Sequence, residues 1–172
     1  MLDSATKSTC GVQDVKSALV LSDDEILERA RQIMRDRKKQ SEITEPFTLP
    51  GAAKAFFTDY FIGLKTEVFA IAFLDANEHL IVAEDFSYGD VNSAHVSIRT
   101  VVKRALELEA SNIVIAHNHP SNNTRPSHGD QIVTGKIAQA LMPLGIKLLD
   151  HVIAGATPED TRAFTEMSLM PS

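Results

Sequence analysis

A chain of 172 residues, 44% of them hydrophobic, is long enough for one domain with a real core, and its single cysteine, Cys10, excludes a disulfide framework or a cysteine-based zinc site within one chain. The net charge of -6 and pI near 5.5 disfavour direct gripping of duplex DNA, which takes a net basic face. Apolar runs are strand-sized, and Asp3, Lys7, Asp14 and Lys16 interrupt the N-terminus, so the expectation is a cytoplasmic protein without membrane contact.

Residues 1–21 are weakly patterned and read as a loose arm. Ser22-Asp23-Asp24-Glu25 has the form of a capping box and opens a helix to about Lys39, with Ile26, Leu27, Ala30, Ile33 and Met34 as its apolar stripe. Its acids come first and its bases (Arg35, Arg37, Lys38, Lys39) last, which suits the dipole of one solvated helix better than a nucleic-acid contact. After a polar connector, a second helix is predicted from Pro50 to Leu64, carrying Ala53, Phe56, Phe57, Tyr60 and Phe61 on its apolar face.

From Glu67 the pattern becomes strand-like. Val68–Leu74 is continuously apolar, as a strand covered on both faces would be. Asp75–Glu78 reads as a hairpin turn into a strand at His79–Phe86, and Gly89–Asn92 as a loop. A helix over Ser97–Ala110 follows, with Val101, Val102, Ala105, Leu106 and Leu108 mostly inward. Then come a buried strand at Asn112–Ala116, a polar loop at 117–126, a helix at Ser127–Leu144 and a strand at Ile146–Ala154; the tail from Thr157 is left open. This order gives an α/β (α+β) fold, a mixed central sheet flanked by helices. The arm and first helix occupy residues 1–47 and the main domain 48–172. Ligands in such sheets collect beyond strand ends, so chemistry is sought after strand 112–116.

That loop contains Ala116-His117-Asn118-His119-Pro120. Residues two apart in extended backbone point the same way, so His117 and His119 can present both imidazoles to one point. Asp130 lies one turn inside the next helix and can face the loop, while Ser127, three residues earlier, can serve as its N-cap. Two imidazoles and a carboxylate leave a fourth tetrahedral position for water, the pattern of a catalytic zinc site. Barrel hydrolases also use paired histidines, but they need about 200 residues or more, and only 53 follow His119.

His-x-His, seven residues, Ser, two residues, Asp resembles the signature of the JAB1/MPN/Mov34 (JAMM) metalloenzymes. Within them the chain resembles the RadC-like branch, of the short, mobile-element type. The resemblance rests on Val91-Asn92-Ser93-Ala94, Val101-Val102-Lys103-Arg104-Ala105-Leu106, Ala116-His117-Asn118-His119-Pro120-Ser121 and Asp150-His151-Val152-Ile153, across roughly residues 48–168. Two positions depart from the branch: Ser97-Ile98 stands before Arg99 where His-Pro is common, and Asn122 follows Ser121 where Gly is common. No Gly-x-Gly hairpin marks a DNA-associated module in residues 1–47.

The resemblance implies a cytidine-deaminase-like JAB/MPN fold and one zinc per chain on His117, His119 and Asp130. It further implies a glutamate at the start of the first core strand as general acid/base, and peptide or isopeptide bonds in a peptide or protein substrate. Glu67 stands directly before strand 68–74 and fits that place better than Glu84 inside the second strand. Ser127 is expected to donate a hydrogen bond to the developing oxyanion or to the metal's water. His151 reads as a core or supporting histidine, and His128 as exposed; His79, His95 and Cys10 carry no evident role. Two rival classes are an accessory protein of DNA repair or replication and a non-catalytic scaffold that binds partners. Oligomeric state is not legible in the sequence.

Overall fold

The computed structural model describes residues 51–88 and 96–171, together with Ser22, Glu25, Ile26, Arg29, Ile33, Pro46 and Phe47. The arm at 1–21, the basic cluster Arg35–Lys39, Cys10 and His95 lie outside the described residues. The first capping box is present: the Ser22 amide donates to Glu25 Oε2 at 2.7 Å, and the Glu25 amide to Ser22 Oγ at 3.3 Å. Glu25, Ile26, Arg29 and Ile33 are helical, with Ile26 and Ile33 exposed.

Three further helices and five strands follow. The strands are β1 (Val68–Leu74), β2 (Leu80–Tyr88), β3 (Asn112–Asn118), β4 (Lys147–Ala154) and the two-residue β5 (Arg162–Ala163). Three helices, α1 (Ala52–Tyr60), α2 (Ile98–Glu107) and α3 (His128–Leu141), flank them. The sheet order is β2-β1-β3-β4-β5, with β3 and β4 parallel and every other pair antiparallel. This is the expected mixed central sheet flanked by helices.

Local chemistry explains where elements end. Gly51 takes a left-handed φ of 82° to start α1. The predicted continuation to Leu64 fails because Phe61 closes the helix and Gly63, at φ 71°, turns the chain. Ser97 caps α2, its Oγ accepting from the Thr100 amide. The third helix gives way at Leu141 to a 3₁₀ turn, Met142–Leu144, where Pro143 cannot donate to the α ladder. β2 begins one residue later than predicted and runs on to Tyr88, and the open tail contributes β5.

Alternation along the strands divides the core into two layers. Val68, Ala70, Ala72 and Leu74 pack with Phe56, Phe57, Tyr60 and Phe61 of the α1 side. Phe69, Ile71 and Phe73 pack with Val101 and Ala105 of α2 and Val133, Ile137 and Leu141 of α3. Small side chains at Ala70, Ala72 and Ala116 leave room for the aromatic cluster of α1. Each such large side chain contributes about 1.5–3 kcal/mol by burial. Leu106, predicted inward, is 53% exposed, since α2 turns only Val101 and Ala105 fully into the core.

The pairing register prepares the site. Phe69 lies opposite His117, so the antiparallel register, continued two residues past Phe69 and one beyond β1, sets Glu67 beside His119. The crossover from β3 through α3 into parallel β4 returns the N-terminus of α3 to the same end of the sheet.

Candidate metal centre

The polar loop predicted from 117 begins later than expected, because β3 continues to Asn118 and makes His117 a buried strand residue. Asn118 holds that extension. Its Oδ1 accepts from the Val68 amide at 2.8 Å and its Nδ2 donates to the Thr66 carbonyl at 3.0 Å. The two histidines therefore straddle the strand end, one inside the ladder and one just past it.

Their rings converge, with the Nε2 atoms of His117 and His119 2.9 Å apart. A carboxylate oxygen of Glu67 joins them, all three ligand atoms lying within 4.8 Å of one another. Asp130 Oδ1 lies 3.4 Å from His117 Nε2. Asp130 is buried, and its other oxygen accepts from the Ser127 amide at 2.7 Å. Ser127 Oγ in turn accepts from the Asp130 amide at 3.1 Å, so Ser127 caps α3 as expected. An accepting hydroxyl keeps its own proton to donate elsewhere.

The outer nitrogens are also engaged. His119 Nδ1 meets the carbonyl oxygen of Asn123, which can only accept, so Nδ1 carries a proton. His117 Nδ1 lies 2.8 Å from His151 Nε2, and His151 Nδ1 lies 2.7 Å from Thr134 Oγ1. His117 stacks parallel to Phe69 at 6.4 Å, and His151 lies 4.5 Å from the Phe164 ring. Enclosure among these rings holds both His117 and His151 below the ordinary histidine pKa, burial being the main cause. For His117, Asp130 opposes the shift and His119 adds to it. Imidazoles and carboxylates turned toward one point form a group that can hold a cation.

The remaining sequence candidates separate clearly. Glu84 is clamped by Arg104, whose Nε and Nη2 donate to it at 2.6–3.1 Å, and so is committed elsewhere. His128 is exposed, and His79 sits 3.6 Å from Asp75, a partner the sequence had not indicated. Thr134 was missed altogether. Its signal was positional: it follows Asp130 by four residues and shares its helix face.

The chain matches the RadC-like JAB domain family over residues 47–169. It is 34% identical over 170 residues to the UPF0758 protein of Pseudoalteromonas translucida (strain TAC 125), covering 99% of this chain and 74% of that one. A UPF0758 protein of Nitrosospira multiformis is 37% identical over 145 residues, covering 84% of this chain and 62% of the relative. One of Variovorax paradoxus (strain S110) is 37% identical over 143 residues, covering 83% and 61%. Against the last two, then, the chain spans less than two thirds of the relative's length. With the matched segment running from before α1 to beyond β5, the chain belongs to the RadC-like JAB domain family.

Proposed function

We propose that this domain is a zinc-dependent hydrolase of peptide or isopeptide bonds, holding one zinc per chain on His117, His119 and Asp130. The supporting observation is the donor set: two imidazole nitrogens 2.9 Å apart and a carboxylate oxygen 3.4 Å from one of them, each able to offer a lone pair to a metal. Lone-pair groups this close share either a proton or a cation, and two nitrogens with one oxygen suit zinc and leave a coordination position open. When bound, zinc supplies Lewis acidity toward a water molecule and the substrate carbonyl.

The chain's own residues supply the rest. Glu67, beside both imidazoles, takes the proton that the attacking water loses and delivers it to the leaving amine, so its charge is restored each cycle. Ser127, at the head of α3, donates its hydroxyl proton to the oxygen that becomes negative as the carbonyl carbon turns tetrahedral. Asp130 is pre-aimed by the cap that Ser127 provides. Substrates are peptide or protein chains. Among the described residues no helix is long and apolar enough to cross a membrane.

Elemental analysis of the purified protein tests this reading. About one zinc per chain is expected, strongly reduced in each of His117→Ala, His119→Ala and Asp130→Ala, because each removes one of three protein ligands. Undiminished zinc in all three variants would remove the assignment.

A further inference from the structure

We propose that Thr134 and His151 set the tautomer of His117, so that its Nε2 is presented unprotonated toward the metal position before any metal arrives. The inference rests on the zinc reading above and deepens it.

Hydrogen-bond polarity carries the argument. Thr134 Oγ1 lies 2.5 Å from the Asp130 carbonyl oxygen. Two oxygens that close repel unless a proton lies between them, and a carbonyl has none, so the threonine's proton is committed there. Toward His151 Nδ1, 2.7 Å away, Thr134 Oγ1 can then only accept. His151 therefore carries its proton on Nδ1. Its ring is fully buried against Phe69 and Phe164, and the neighbouring Asp150 carboxylate is turned to Thr165. An imidazole whose one proton is on Nδ1 offers its lone pair at Nε2. That lone pair accepts from His117 Nδ1 across 2.8 Å, which places the single proton of His117 on Nδ1 and leaves Nε2 bare.

The polarity starts and ends on one residue. Asp130 provides the carbonyl that orients Thr134, and its side chain lies 3.4 Å from the nitrogen whose lone pair results. His119 has its Nδ1 proton fixed more simply, by the Asn123 carbonyl. His151 and Thr134 are positioning residues: they act through His117.

The test combines imidazole NMR with metal affinity. In metal-free wild-type protein, long-range proton–nitrogen spectra should show His117 protonated at Nδ1. His151→Phe removes the acceptor and should mix the tautomers and weaken zinc binding, measured by chelator competition, by about 10- to 100-fold. His151→Gln can accept from His117 and donate to Thr134 with one amide, and should recover most of that affinity. Thr134→Val, nearly isosteric, should loosen the tautomer with the ring of His151 in place, and serves if His151→Phe does not fold. An Nε2-protonated His117 in the metal-free wild type overturns the proposal, as does wild-type affinity in folded His151→Phe or Thr134→Val, or a His151→Gln no better than His151→Phe. The two readings fail differently. A wild type that binds no zinc yet shows His117 protonated at Nδ1 sinks the zinc reading and supports the relay.

Discussion

Acid should destabilise the metal-free protein before its carboxylates titrate. The pKa of His117 drops from 6.5 to about 4, chiefly through burial, and His151 moves in the same direction. Above pH 6.5 both folded and unfolded chains hold these rings neutral, so they add no pH dependence. Below it the unfolded chain takes up protons that the folded chain refuses, and stability falls until the pH passes the folded pKa. For His117 alone, with a folded pKa of about 4 against 6.5 unfolded, the loss down to pH 5 is on the order of 2 kcal/mol at about 1.36 kcal/mol per pH unit. Asp150, raised by burial, works with the opposite sign because the folded chain takes its proton first. Urea denaturation in the presence of a chelator, from pH 7.5 to 5, gives the slope, and the comparison with His117→Asn isolates this ring. A wild-type slope indistinguishable from that of folded His117→Asn would refute the reasoning.

Glu67→Gln should retain zinc and fold but lose any amide hydrolysis by about 100- to 10,000-fold, since an amide cannot accept the proton; loss of zinc instead would make Glu67 a ligand. Glu84→Gln should leave both zinc and hydrolysis intact, because that carboxylate is held by Arg104, and a collapse of hydrolysis with zinc retained would mean that the shuttle is Glu84. Gly155→Ala should cost about 1–3 kcal/mol in denaturant unfolding, because its new Cβ would stand 2.6 Å from Asp160 Cβ and 3.0 Å from that residue's backbone carbon; unchanged stability would show that this loop yields freely.

The sheet and its helices were legible because periodicity there is unambiguous: Val68–Leu74 is apolar at every position and is buried at every position. Boundaries slipped where side chains outside the pattern decide them. Nothing local in the sequence says that Asn118 will turn back to bond Thr66 and Val68, yet those bonds carry β3 two residues past its predicted end. The spacing of His117, His119, Ser127 and Asp130 was readable, since short-range geometry sets it. The place of Glu67 followed from the apolar strand after it. What could not be read was the support behind His117, because Thr134 and His151 meet it only through the crossover that lays α3 over β3 and β4.

The central place of β3 divides the two histidines between different dynamic regimes. β3 is paired with β1 over Asn112–His117 and with β4 over Asn112–Asn118, while just past its end the His119 amide reaches the Ala154 carbonyl only at 3.5 Å. Amides doubly bracketed in this way exchange with solvent through opening of the whole domain, whereas loop amides exchange through small local excursions. His117 thus belongs to the slowest-opening part of the molecule, and His119, on the loop pinned by Asn122 and Thr124, to a faster one. Deuterium uptake should be slow across 112–117 and fast across 119–126.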